Sequence, residues 1–202
     1  MLDTEGDYLD LKSAVVLGTL TNPPSVHEVL TALEKPDVQA VVCLAAVPEE
    51  DRHEFVEKLL VPLRELRETA GRPHWVLVDE AHHLLPASAE ADDSPATGAE
   101  NTIYVTDDPM ALAPGILASV DGIACCGENA AGTLDAFAAA VSWGRPALPS
   151  GHPHAGQALV WFRKSERPVA LIEVAGVKAE PAQEKQAPRE KTPEVGQVLR
   201  RA

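Results

Sequence analysis

Two adjacent carboxylates, Asp79 and Glu80, follow a short apolar run in the segment VLVDEAHHLL (76–85). Paired acidic side chains of this kind serve phosphoryl transfer, in which one carboxylate holds Mg²⁺, usually through water, and the other polarises the attacking water. We therefore predict Asp79 as a metal ligand and Glu80 as a catalytic residue of a nucleotide hydrolase. The same pair could instead only cap the following helix, because a strand, an acidic pair and a helix are common in any α/β protein.

The elements that must position these residues follow from the hydrophobic pattern. Apolar runs alternate with helical segments, and they are SAVVLGT (13–19), VQAVVCLAAV (38–47), HWVLVDEA (74–81), NTIYVTD (101–107), DGIACCG (121–127), QALVWFR (157–163) and PVALIEVAG (168–176). Continuous apolar strands between helices predict an α/β fold with a mostly parallel sheet and helices on both faces. The last two runs, separated only by KSER (164–167), predict an antiparallel β-hairpin at the sheet edge.

Two helices carry recognisable end signals. Ser25 and Glu28 stand three residues apart before an apolar run, which predicts a capping box at a helix start. The longest helix is predicted from about residue 49 to residue 69, with Pro62 as a kink and Gly71 as the stop.

Length and composition predict one ordered domain, residues 1–176, because 202 residues with 45% hydrophobic content support one sizeable core. An acidic, small-residue segment at 86–101 is predicted as a flexible loop within that domain. A charged, proline-rich segment without aromatic residues, 177–202, is predicted as a disordered tail.

The charge balance limits the possible partners. Lysine and arginine number 17 against 31 aspartate and glutamate, which gives a formal net charge of −14. Such a chain lacks the basic surface of a stand-alone nucleic-acid binder, so we expect any DNA contact to be indirect. Three cysteines inside apolar runs and the lack of a long apolar segment predict a cytoplasmic protein with reduced thiols and no membrane contact.

The segments around the acidic pair carry a family resemblance. They are LDTEGDY (2–8), VVLG (15–18), VVCL (41–44), GRPHWVLVDEAHHLLP (71–86) and GQALVW (156–161). In this order they resemble the HerA/FtsK-type P-loop ATPases, hexameric motors of the additional-strand class with a RecA-like core. The chain is similar in particular to a bacterial group in which such a domain follows a phosphatase domain of the HAD type. The resemblance spans roughly residues 2 to 162.

The resemblance implies ATP and Mg²⁺ as cofactors, with VLVDE as the Walker B strand. In that class the neighbouring strand ends in a polar residue that contacts the γ-phosphate, and Thr106 holds that place by order. The lysine-bearing loop GxxxxGKS/T is missing, because no Gly-Lys dipeptide occurs anywhere in the sequence. The segment GENAAGT (127–133) has glycines at the right spacing but no lysine.

We therefore expect an N-terminally truncated or split ATPase domain that lacks the P-loop strand and is not catalytic alone. Its expected partner is a second copy of the chain or another chain that carries the P-loop. ATP and Mg²⁺ are expected to bind only if that loop is supplied elsewhere.

Three alternatives stay open. A HAD-type phosphatase fragment is suggested by LDTEG (2–6), with Asp3 as nucleophile, and by IYVT (103–106). A non-catalytic interaction module would keep the fold and bind a partner through a sheet edge or the acidic tail. The letters DEAH also occur in superfamily 2 helicases, whose downstream motifs are missing here.

Overall fold

The computed structural model describes residues 1–88, 100–144, 146–149, 151–163 and 168–173. Its main element is a five-stranded sheet in the order β2-β3-β1-β4-β5, in which all four pairings are parallel. The strands are β1 (Leu2–Asp3), β2 (Val15–Leu17), β3 (Ala40–Cys43), β4 (Val76–Val78) and β5 (Thr102–Tyr104). The predicted α/β fold with a mostly parallel sheet is confirmed.

Five α-helices occur in the described part of the chain: α1 (Val26–Leu33), α2 (Glu49–Ala70), α3 (Ala81–Leu84), α4 (Pro114–Ser119) and α5 (Ala130–Ala140). The predicted capping box opens α1, since Ser25 Oγ accepts from the Glu28 N–H while the Glu28 carboxylate accepts from the Ser25 N–H. The α2 helix continues through Pro62 and ends at Gly71, whose φ of 62° is the left-handed conformation of a helix stop.

The largest apolar cluster lies between the helices and one face of the parallel sheet. Leu2, Val42 and Val78 lie in register across β1, β3 and β4, so their side chains share that face. Leu59 and Leu63 of α2 are buried in the same cluster. The other helices contribute Val29, Ala81, Leu84, Ile116, Leu117 and Phe137.

The opposite face of the sheet is less covered near β5. Leu77 pairs in register with Ile103 on this face, and neither belongs to the buried clusters. Ile103 and Val105, on β5 and just after it, are each 45% exposed. Apolar surface therefore remains open along the last strand of the sheet.

A second sheet is formed by β6 (Gly122–Cys126), β7 (Gln157–Phe162) and β8 (Ala170–Glu173), all antiparallel. The predicted hairpin is therefore observed as β7 and β8, but it pairs with β6 instead of extending the parallel sheet. Gly122 permits the close pairing, because a Cβ there would lie 2.5 Å from the Phe162 ring.

Several predicted features fall partly or wholly outside the described residues. These are most of the loop at 86–101, the KSER connection at 164–167 and the whole tail at 177–202. All three cysteines are free, with Cys43 and Cys125 buried and Cys126 exposed. None of the described helices combines the length and the apolar character that a membrane span requires.

Candidate functional site

The site begins with Asp3, the last residue of β1, which is completely buried. Its carboxylate accepts four backbone hydrogen bonds, from the N–H groups of Glu5 (3.2 Å), Gly6 (2.8 Å), Asp7 (3.3 Å) and Tyr8 (3.1 Å). A buried carboxylate is tolerated when several N–H groups satisfy its oxygens. Asp3 therefore shapes the loop that carries Tyr8.

This arrangement bears on the phosphatase alternative, in which Asp3 would attack phosphorus. Both carboxylate oxygens already accept backbone N–H groups, and the side chain has no exposed surface. The geometry thus gives Asp3 a structural role in the loop at residues 4–8.

Asp79 lies beside this loop, directly after β4. Its backbone N–H donates to the Leu2 carbonyl at 3.1 Å, so Asp79 and Asp3 stand at the same end of two neighbouring strands. Desolvation raises the pKa of Tyr8, and the negative charge of Asp79, which also hydrogen-bonds the phenol, raises it further. Asp79 itself is half-buried, so its carboxylate stays within reach of solvent.

Glu80 has an unusual backbone for a residue with a side chain. Its φ of 46° and ψ of 50° are left-handed, and it stands at the N-cap position of α3. The residue after Glu80 holds the turn in place, because the Ala81 N–H donates to the Val105 carbonyl at 2.9 Å. This conformation directs the Glu80 carboxylate toward His82, with Oε2 at 3.5 Å from Nδ1.

His82 connects Glu80 to Thr106. Its Nδ1 lies 3.0 Å from the Thr106 Oγ1, and its Nε2 lies 3.7 Å from an Asp107 carboxylate oxygen. The imidazole is only 17% exposed. From the sequence alone, solvent exposure or packing is the expected role of this histidine. The available signal was its position two residues after Glu80, near the end of the adjacent parallel strand.

Thr106 follows β5 and accepts the Asp108 N–H at 3.1 Å, in addition to its contact with His82. The structure therefore brings the three residues predicted from the sequence, Asp79, Glu80 and Thr106, to the carboxyl ends of the adjacent parallel strands β4 and β5. Ligands of open α/β sheets bind at this end of the strands.

The two neighbouring histidines correct one expectation. On an ideal helix His82 and His83 would lie about 100° apart and could not easily face one metal ion. In the structure the ring centroids are 4.1 Å apart, and Glu80, His82 and His83 each place a ligand atom within 4.8 Å of the other two. Two long side chains on neighbouring helical residues can still bring their rings together, and here they do.

The glycine-containing segment GENAAGT does not form an open phosphate loop. Gly132 and Thr133 lie inside α5, where the Thr133 N–H donates to the Asn129 carbonyl. A Cβ on Gly132 would lie 2.5 Å from the Asn129 side-chain oxygen, so the helix start is closely packed there. This segment is a strand, a turn and a helix.

No protein-family model matches the chain, and no curated protein sequence matches it. Among solved structures, the fold is similar to that of the genome packaging NTPase B204 from Sulfolobus turreted icosahedral virus 2, in complex with AMPPCP. The match has a TM-score of 0.52 at 13% sequence identity and covers 87% of this chain and 82% of that chain. At this identity the likeness is one of fold, and it is consistent with a P-loop NTPase-like α/β core.

Proposed function

We propose that this chain is the ATP-binding part of a HerA/FtsK-type ATPase and that another polypeptide segment supplies its phosphate-binding loop. The observation that carries the proposal is the convergence of Asp79, Glu80 and Thr106 at the ends of two adjacent parallel strands. The likeness to a nucleotide-bound NTPase supports the nucleotide as ligand.

Each of the three residues has a distinct role in this proposal. Asp79 would hold Mg²⁺, and the ion would supply neutralisation of the charge on the nucleotide phosphates. The Tyr8 phenol, whose pKa the Asp79 carboxylate raises, is placed to orient that carboxylate without adding charge. Glu80 polarises the attacking water, and Thr106 donates its hydroxyl proton to the terminal phosphate.

His82 acts as a positioning residue between two of these groups. It contacts the Thr106 hydroxyl at 3.0 Å and lies 3.5 Å from the Glu80 carboxylate. A shift of the Glu80 carboxylate or of the Thr106 hydroxyl would therefore affect the other group through the His82 imidazole. Replacement of His82 is expected to leave the Glu80 carboxylate and the Thr106 hydroxyl less well oriented.

The chain alone is expected to bind nucleotide weakly. Charge-assisted hydrogen bonds contribute about 1.5 to 3 kcal/mol each, so lacking three or four from a phosphate loop weakens binding by roughly 5 to 10 kcal/mol. In the described part of the chain β5 pairs only with β4, which leaves an open edge next to Thr106. A strand that carries the loop fits at this edge.

The test is ATP turnover with Mg²⁺, measured for the chain alone and after addition of a domain that contributes a strand, a GxxxxGKS/T loop and a helix. We expect no turnover from the chain alone, turnover in the mixture, and its loss in Glu80→Gln or when the added loop lacks its lysine. His27→Ala, an exposed histidine on α1, is the control that should retain turnover.

Two outcomes would overturn parts of this proposal. Turnover by the isolated chain that disappears in Glu80→Gln would contradict the need for an external loop. Turnover in the mixture that survives Glu80→Gln and Asp79→Asn would contradict the roles assigned to the acidic pair.

A further inference from the structure

We propose that Glu80, His82 and His83 form a binding site for a divalent transition-metal ion such as Zn²⁺, separate from the Mg²⁺ position at Asp79. Two imidazoles and one carboxylate are a typical zinc donor set, whereas Mg²⁺ prefers oxygen ligands alone. The donor types of this group therefore select a different ion from the one that accompanies nucleotide phosphates.

The distances suit such an ion. Around a tetrahedral metal with bonds of about 2.0 to 2.2 Å, ligand atoms lie roughly 3.4 Å from one another. The Glu80 Oε2 and the His82 Nδ1 are 3.5 Å apart, which already matches that edge. The third donor, on His83, lies within 4.8 Å of both, and because this side chain is exposed its rotation can bring the donor closer.

The surroundings of His82 also suit metal binding. Its Nε2 lies 3.7 Å from the Asp107 carboxylate, so a proton on that nitrogen would face a negative charge. In that tautomer Nδ1, 3.5 Å from the Glu80 carboxylate, can take an ion in place of its contact with the Thr106 hydroxyl. A ligating imidazole whose other nitrogen faces a carboxylate is the usual arrangement at zinc sites.

The backbone that presents the ligands is anchored in the core. Ala81 and Leu84, which flank the two histidines, are fully buried. The Leu85 N–H closes the short helix onto the Ala81 carbonyl, and the His53 imidazole bonds the Leu84 carbonyl at 2.9 Å. The three ligands therefore come from a rigid turn, so metal binding requires little ordering.

Solvent reaches the site, and its three ligands leave one coordination position of the ion open. Glu80 is 37% exposed and His83 is exposed, so an ion can enter from solvent. Three protein ligands leave the fourth tetrahedral position to water. The inference does not depend on the proposed ATPase function, because it needs neither nucleotide nor a phosphate loop.

The test uses the full chain after treatment with a chelator, titrated with Co²⁺ and followed by its visible absorption, with Zn²⁺ as competitor. We expect one Co²⁺ per chain, displaced by Zn²⁺ but not by millimolar Mg²⁺. His82→Ala, His83→Ala and Glu80→Gln should each weaken Co²⁺ binding at least about tenfold, the lower end seen for changes around metal sites.

Matched controls separate this site from casual binding by histidines. His152 and His154 are also exposed and closely spaced, so the double change to alanine tests a histidine pair without the carboxylate. This variant and Asp79→Asn should bind Co²⁺ as the unchanged chain does. Because His83 is exposed, His83→Ala tests the ligand without disturbing the core.

Four results would overturn the inference. Three are the absence of a Co²⁺ spectrum, unchanged Co²⁺ affinity in both His83→Ala and Glu80→Gln, and an equal loss in the His152/His154 variant. The fourth is displacement of Co²⁺ by Mg²⁺, because it would indicate an oxygen-only site.

Discussion

Glu80 joins a strand to a helix through a backbone conformation that L-residues disfavour. A left-handed residue other than glycine costs about 1 to 2 kcal/mol, and the neighbouring hydrogen bond from Ala81 to Val105 holds the turn in place. Such strain is concentrated at functional sites. Here it places the carboxylate beside His82, where the proposed metal site requires it.

The strain at Glu80 predicts which of two substitutions at this position gives the more stable protein. Glu80→Gly removes the steric penalty of the side chain, whereas Glu80→Ala removes the carboxylate but keeps a Cβ, so the glycine variant should be the more stable by about 1 kcal/mol. Urea unfolding measures the difference. Glu34, which ends α1 with a right-handed φ of −60°, is the matched control.

At Glu34 the order of the two variants should reverse, because glycine in a right-handed helical position costs roughly 0.5 to 1 kcal/mol relative to alanine. An alanine variant at position 80 that equals or exceeds the glycine variant in stability would show that the left-handed turn is not strained.

Burial of Tyr104 makes the stability of the fold depend on pH in the alkaline range. Desolvation by burial raises the pKa of its phenol to about 12. In the unfolded chain a tyrosine ionises near pH 10, so the stabilising difference is present below about pH 10 and is lost as the pH rises toward 12. Partial exposure screens the effect, which leaves about 1 to 2 kcal/mol.

Tyr104→Phe should therefore lose less stability between pH 9 and pH 11.5 than the unchanged chain. Chemical unfolding at several pH values measures this, and absorbance of the phenolate follows the titration directly. Only two tyrosines occur in the sequence, so the remaining signal in the variant belongs to Tyr8. Identical pH profiles for the two chains would refute the assignment.

At the scale of elements, the sequence predicts well the helix ends that depend on a few neighbouring residues. The capping box at Ser25 and the stop at Gly71 were recognisable because each depends on a few neighbouring residues. By contrast, the hydrophobic pattern did not mark β1, because this strand has two residues although it lies at the centre of the sheet. Its position depends on pairing with β3 and β4, which no short window contains.

Strand partners were harder to predict than strands. The runs that became β6, β7 and β8 were all recognised, but a hydrophobic run does not say which sheet it joins. Gly122 and Phe162 pair closely across β6 and β7, and this contact joins residues 40 positions apart in the sequence. The separate antiparallel sheet is therefore a property of tertiary packing.

The same distinction applies to the candidate site. The resemblance implied that Asp79, Glu80 and Thr106 serve one nucleotide, and the three residues stand at the ends of two adjacent parallel strands. The proximity of the His82 and His83 rings was not predicted, because the orientation of two side chains is not visible in the residue types.

For the whole molecule, the edge formed by β5 is a candidate contact surface. Within the described residues β5 pairs on one side only, with β4, and Ile103 and Val105 add apolar surface at this edge. The formal net charge of −14 opposes contact between two copies of the chain. The balance between the two effects depends on salt, because salt screens charge repulsion but leaves apolar contact intact.

Self-association through this edge should therefore increase with salt. Light scattering on a sizing column, between roughly 50 mM and 500 mM salt, should show a growing fraction of larger species, since the Debye length falls to a few ångströms over that range. The double change Ile103→Glu and Val105→Glu adds charge directly at the edge, so it should keep the chain monomeric throughout. Val61→Glu, at an equally exposed apolar position on α2, is the matched control and should behave as the unchanged chain does.

Association that is lost equally in the Val61 variant would locate the contact elsewhere. A chain that stays monomeric at every salt concentration would show that the open edge needs a different partner, such as the loop-bearing strand proposed above.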